Sequence, residues 1–155
     1  MIWEQLNQDL ILLDLESNNE RDVFEALGGT LVKKGYAKDS YVQALSDREK
    51  EFSTGLDIDG FGVAIPHTDV THVLKSGIGI AKLAKPVTFI HMATDDQEVP
   101  VELVFMLAVV NPADHIGELQ RILEIIQDKE VLKKLKNAQS ASEIIEIVKE
   151  KEETL

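Results

Sequence analysis

One run limits what this chain can fold into: VELVFMLAVV, Val101 to Val110, in which Glu102 is the sole charged residue. A bilayer span takes ~20 apolar residues, so the run is too short to cross a membrane. It lacks the strict alternation of a half-solvated strand. It is predicted as a strand covered on both faces, and such a strand needs elements packed above and below its sheet.

The flanking sequence supplies those elements. Leu10 to Leu15 (LILLDL) predicts a first strand. SNNERDVFEALGGTLVKKG predicts a helix: Asn18 or Asn19 can cap it, Glu20 and Asp22 suit its positive end, and Val23, Phe24, Leu27, Leu31 and Val32 form one apolar stripe. Gly35 is a stop signal. A second helix runs from about Ser40 to Glu51, capped by Asp39 or Ser40, with Val42 and Leu45 inward. Ser53-Thr54-Gly55 breaks the chain, and Gly60 and Gly62 keep it flexible up to a short strand that ends in Val63-Ala64-Ile65-Pro66-His67. Ser76 to Leu83 reads as a strand whose glycines let another backbone come close. Lys85-Pro86 is a turn or strand edge, and Val87 to Ile90 a further short strand.

The rest is helical. Ile116, Leu119, Ile122, Leu123 and Ile126 share a face from Asp114 to Gln127. A short helix starts at Asp128 or Lys129 and ends at Leu135; the last is capped by Ser140 and turns Ile144, Ile145, Ile147 and Val148 inward. Glu150 to Glu153 reads as a charged, frayed end, and Trp3 packs or anchors the opposite terminus. The expected fold is α/β: a single domain, residues 1–155, with a mixed β-sheet flanked by helices.

Composition narrows the function. The chain has no cysteine, so disulfides and thiol chemistry are excluded. A formal net charge of −12 repels phosphate backbones, which argues against nucleic acid and against an anionic membrane surface. That charge serves solubility, or steers a partner with a basic face. The N-terminal stretch lacks the basic start and long apolar segment of a signal peptide, so a soluble, cytoplasmic protein is expected.

The chemistry centres on histidine. A neutral imidazole nitrogen is a nucleophile that needs no base to activate it, and its ordinary pKa of ~6.5 keeps it mostly neutral near pH 7. His67 follows Pro66, whose ring fixes one dihedral and forces Ile65 to be extended. The imidazole thus leaves the end of a strand from a stiff base, where ligands of α/β sheets tend to sit. His115 opens the helix after the central strand, at a second strand end. Arg48, near the end of its helix, has the forked guanidinium that matches phosphoryl oxygens. Each has a plainer reading: a turn histidine, a first-turn histidine, and a surface arginine paired to Asp47 or Glu51.

The other candidates are weaker. His67 and His72 are five apart, not the three or four of a helical metal pair, and no ordered third ligand joins them, so no metal and no cofactor is expected. His91 reads as a strand-end residue. Phe52, Leu56, Ile58 and Phe61 are either a docking patch or core.

Taken in order, Arg48-Glu49, Thr54-Gly55-Leu56, Gly62-Val63-Ala64-Ile65-Pro66-His67 and the later His115 resemble the enzyme IIA domains of the bacterial phosphoenolpyruvate-dependent sugar phosphotransferase system, fructose/mannitol type. The resemblance runs from the first helix to the last. REKEFSTGL, IPHTDVTHV and AKPVTF…VPVELVFMLAV lean toward its galactitol-specific branch.

The resemblance implies a phosphocarrier. His67 would take a phosphoryl group from the phosphohistidine of the carrier HPr and pass it to a cysteine of enzyme IIB, and the sugar would be phosphorylated as it crosses the membrane component IIC. Arg48 and His115 would help bind the phosphoryl group, with backbone N–H groups near Thr68 and Asp69. Two other classes stand beside it: a regulatory phosphoacceptor of the same fold, and a metal-dependent hydrolase using His67 and His72.

Overall fold

The structure, a computed structural model, describes residues 1–155. The apolar run becomes β5 (Glu98–Ala108), the middle strand of a five-stranded sheet ordered β1-β4-β5-β3-β2. β1 (Leu6–Leu15) lies parallel to β4 (Gly77–Ile90), and β4 antiparallel to β5. On the other side, β5 runs parallel to β3 (Phe61–Ala64), which pairs antiparallel with β2 (Gly55–Ile58). Between β1 and β2, α1 (Glu20–Val23) passes through a π-type turn (Phe24–Gly28) into α2 (Gly29–Lys33), and α3 (Tyr41–Glu51) follows. The chain ends in α4 (Pro112–Ile126), α5 (Lys129–Asn137) and α6 (Ala141–Glu152).

β5 is buried on both faces, and this organises everything else. Leu103, Phe105 and Leu107 enter a core of 20 buried residues with Ile122, Leu132, Leu135, Ile144 and Val148 of α4–α6. Val104, Met106 and Ala108 enter a core of 19 with Phe24, Leu27, Leu31, Tyr41 and Leu45 of α1–α3. The near-equal cores make the sheet a true middle layer. Truncating a side chain such as Leu103 to alanine would cost about 2–5 kcal/mol.

The local signals explain the caps. Asn19 accepts the Asp22 N–H at 2.9 Å, and Asp128 and Ser140 cap α5 and α6 in the same way. Gly35 has a positive φ of 85° just beyond α2. Ser40 precedes α3, but its hydroxyl bonds to His72 Nδ1 at 2.8 Å instead of capping the helix.

Four expectations change. Residues 55–62, read as a break and a flexible stretch before a short strand, join that strand in the β2–β3 hairpin, closed by Asp59 (φ 50°) and Gly60 (φ 90°). Two consecutive positive φ values suit the tight turn that Asp-Gly favours. Residues 77–90 form one strand, not two: the register shifts between Lys82 and Val87, so Pro86 falls where the ladder is interrupted. The glycines of β4 admit side chains more closely than backbone; a Cβ at Gly77 would stand 2.6 Å from the Tyr36 ring, and one at Gly79 would meet Leu27 at 3.1 Å and the Leu10 carbonyl oxygen only at 3.6 Å. The C-terminal charges do not fray: Glu152 is 2% exposed and accepts the N–H groups of Ile2 and Trp3, which fastens the two chain ends together.

Candidate functional site

β3 ends at Ala64, and Ile65-Pro66-His67 carries the chain on along the edge of β5. The Leu107 N–H donates to the Pro66 carbonyl at 3.1 Å, and His67 forms an isolated parallel bridge with Leu107. From the other face, the buried Tyr41 hydroxyl donates to the Leu107 carbonyl at 2.6 Å. The backbone under His67 is thus fixed by proline, by β5 and by α3.

The ring is fixed as well. Its Nδ1 lies 2.9 Å from the Ile65 carbonyl oxygen. A carbonyl only accepts, so Nδ1 carries the proton and Nε2 carries the lone pair. Nε2 makes no hydrogen bond, and it is not sealed from solvent. His67 is 8% exposed, so one edge of the ring reaches the surface. Burial pushes the imidazole down to about 4; the Ile65 carbonyl works against this, and the His115 and Arg48 charges work with it. The ring is therefore neutral at pH 7.

α4 begins just past the end of β5. Asn111 caps it, accepting the Ala113 N–H at 3.0 Å, Pro112 starts its first turn, and His115 follows in that turn. The ring centroids of His115 and His67 are 4.8 Å apart, tilted by 59°. His67, His72 and His91 each engage a ring nitrogen in a hydrogen bond; His115 engages none.

Arg48 projects from the last turn of α3. Its guanidinium lies 5.0 Å from the Phe52 ring centre, and its Nε is buried without a hydrogen-bond partner. It enters none of the ion pairs of the molecule, neither with Asp47 nor with Glu51. An arginine left unpaired beside a histidine pair has the charge and the forked donors to bind an anion. A groove of about 330 Å³ joins Arg48, Thr68 and Asp69 to His115 and Ile116. A second, of about 340 Å³, runs from Arg48 and Thr68 past Phe52 and Asp47 to His72.

The remaining candidates separate. His72 sits in the 3-10 turn Val70–His72, bonded to Ser40 at the far end of the second groove. His91 bonds to the Met92 carbonyl at the opposite end of β4. Phe52 is 58% exposed beside Arg48, whereas Leu56, Ile58 and Phe61 pack against the core under α4–α6. Ile116, expected inward, is 68% exposed, because the first turn of α4 projects past the sheet and has no core beneath it. The sequence reading missed two supports of the site: Tyr41, and the buried Glu49, whose carboxylate accepts both the N–H and the hydroxyl of Thr54 at 2.7 Å. No local pattern marks a buried carboxylate; only the quoted Arg48-Glu49 and Thr54-Gly55-Leu56 motifs touch it.

Residues 4–151 match the profile of the family described as phosphoenolpyruvate-dependent sugar phosphotransferase system, EIIA 2. The galactitol-specific EIIA component of Escherichia coli (strain K12) is 32% identical over 114 residues, covering 74% of this chain and 75% of that protein. The fructose-specific EIIABC component of Bacillus subtilis (strain 168) is also 32% identical, over 151 residues; the match covers 95% of this chain but only 23% of that protein. Among solved structures, the complex of enzyme IIA-mannitol with phosphorylated enzyme IIB-mannitol from Escherichia coli superposes with a TM-score of 0.77 at 28% identity, covering 94% of this chain and 97% of that one. The nitrogen regulatory protein IIA-Ntr from Neisseria meningitidis superposes with a TM-score of 0.80 at 31% identity, covering 95% and 98%. No helix is long and apolar enough to cross a membrane.

Proposed function

The chain belongs to the EIIA 2 family of the phosphoenolpyruvate-dependent sugar phosphotransferase system, and on that premise we propose that it carries a phosphoryl group on Nε2 of His67. The observation that carries the proposal is the hydrogen bond from His67 Nδ1 to the Ile65 carbonyl, which leaves Nε2 with its lone pair beside an unpaired arginine. The Nε2 lone pair attacks the phosphorus of phosphohistidine on HPr. An N–P bond forms on His67 as the donor N–P bond breaks, and that electron pair returns to the donor ring. The proton stays on Nδ1, donated to the Ile65 carbonyl, and that bond stabilises the phosphorylated ring. In the second transfer, a cysteine thiolate of enzyme IIB attacks the phosphorus and the electron pair returns to Nε2.

Such transfer passes through a loose transition state with charge on the equatorial oxygens, so the protein has mainly to align and to neutralise. Arg48 supplies charge and forked donors. His115 and the positive end of α4 supply more. Both carriers dock on one face, because each must reach the same nitrogen. Apart from the chain ends, the exposed large apolar side chains are Phe52, Leu74, Val110 and Ile116. Phe52 and Ile116 line the two grooves that meet at Arg48, a fitting rim for a protein partner.

The test is labelling from phospho-HPr. His67→Gln stays folded and takes no label, and labelled wild type passes its phosphate to an enzyme IIB cysteine. The galactitol type rests on the motif details of the sequence; adjacent genes for IIB, IIC and polyol enzymes would check it. The likeness to IIA-Ntr keeps one second reading: a regulatory phosphoacceptor. It would accept label and pass none to enzyme IIB.

A further inference from the structure

Resting on the carrier reading of His67, we propose that Glu49 is a positioning residue for phosphoryl transfer: its buried carboxylate clamps Thr54, and Thr54 holds the Ile65 peptide that sets the tautomer and direction of the His67 ring. The chain of bonds is continuous. Glu49 Oε2 accepts the Thr54 N–H and Oε1 the Thr54 hydroxyl, both at 2.7 Å. The Thr54 carbonyl accepts the Ile65 N–H at 3.2 Å. The Ile65 carbonyl accepts His67 Nδ1–H at 2.9 Å. Glu49, Thr54, Ile65 and His67 are all buried, so water cannot readily replace any of these bonds.

The simpler assignment is a carboxylate that only closes the loop between α3 and β2. Two features go beyond it. A buried charge is a costly fastener where a neutral acceptor would serve. Glu49 also follows Arg48 directly, so one clamp fixes both the helix end that carries the guanidinium and the strand end that carries the imidazole. Alignment of that kind decides rates, since a misplacement of ~1 Å can cost ~100-fold.

The clamp is also sensitive to pH. Burial pushes the Glu49 carboxyl up to about 7, against the two Thr54 bonds; Glu20 pushes it further up and Arg48 pulls it down. Glu20 and Arg21 of α1, Lys50 of α3 and Asp95 of the β4–β5 loop line the groove on this side. A protonated carboxyl gives up one acceptor oxygen, so one Thr54 bond loosens. His67 itself stays neutral down to about 4, so a change of rate near pH 7 does not come from its ring.

The experiment measures the rate of labelling from phospho-HPr against pH for wild type and variants, together with the side-chain ¹⁵N shifts of His67 in unlabelled protein. Glu49→Gln is expected to label His67 about tenfold to a hundredfold more slowly at pH 8, and to lose a rate step near pH 7 that wild type shows. Thr54→Val loses only the hydroxyl donor and slows less; Thr54→Ser recovers what Thr54→Val loses. The His67 ¹⁵N shifts move with a midpoint near 7 in wild type and do not in Glu49→Gln. If Glu49→Gln does not fold, the wild-type shift titration and Thr54→Val decide. Unchanged rate in a folded Glu49→Gln, or slower rate with unmoved His67 shifts, overturns the proposal. If wild type takes no label at His67, the carrier reading fails, and the ¹⁵N titration still shows whether Glu49 sets the ring.

Discussion

His67 and His115 stand at the ends of neighbouring strands, with rings 4.8 Å apart, yet they are held in opposite ways. His67 rests on backbone: Pro66 under it, β5 beside it, and the Ile65 carbonyl gripping one ring nitrogen. His115 is partly exposed on the first turn of a helix, and no hydrogen bond holds its ring. A group that forms and breaks a bond to phosphorus needs one tautomer and one direction. A group that only donates to the moving oxygens gains from being able to follow them between two partners. Under the proposed carrier function, the difference in restraint assigns the attacking role to His67 and the assisting role to His115.

Substitutions can invert that contrast or sharpen it. The largest effect is expected from His67→Gln, which abolishes labelling by phospho-HPr with its circular dichroism unchanged. Label persisting on His115 would reverse the two roles. Arg48→Ala should slow labelling by about 10²–10³-fold, the usual cost of removing one charge-stabilising donor, and Arg48→Lys should recover only part, because a point charge cannot replace the fork.

Stability against pH probes the restrained side alone. For His67, between its ordinary 6.5 and about 4 in the folded chain, only the unfolded chain binds the proton, so stability falls as pH falls through that window. For Glu49, between about 7 and its ordinary 4.5, only the folded chain binds it, so stability rises as pH falls. The two slopes oppose each other over nearly one window. Urea melts should show Glu49→Gln losing stability from pH 6.5 to 4, by at most about 3 kcal/mol, and His67→Gln gaining it from pH 7 to 4.5. Parallel behaviour of the two variants would contradict the assigned environments. His115→Ala should slow transfer about tenfold to a hundredfold without abolishing it, as measured by rapid-quench labelling. The smallest effect belongs to the rim: Ile116→Asp should raise the apparent KM for phospho-HPr about tenfold and leave thermal stability alone.

Much of this frame can be read from the chain. Val101 to Val110 specifies a central strand because burial on both faces leaves no room for polar residues, and Asn19, Asp128 and Ser140 mark their helices through short-range caps. The stiffness beneath His67 is legible in Pro66. What is not legible depends on distance along the sequence. Glu152 looks like a frayed end because its partners, Ile2 and Trp3, lie 150 and 149 residues away. Ile116 fits an apolar stripe, but the place where a sheet stops supporting a helix is a property of the assembled layers. The β2–β3 hairpin carried a readable Asp59-Gly60 signal, obscured by the surrounding glycines. The clamp from Glu49 to His67 crosses three segments and has no period to reveal it.

The most direct test of the central assignment is to phosphorylate the ¹⁵N-labelled protein with phospho-HPr and find the phosphorus by ¹⁵N–³¹P coupling. The expected result is phosphorus on Nε2 of His67, with Nδ1 still protonated and bonded to the Ile65 carbonyl. Phosphorus on Nδ1 of His67, or on His115, would contradict it.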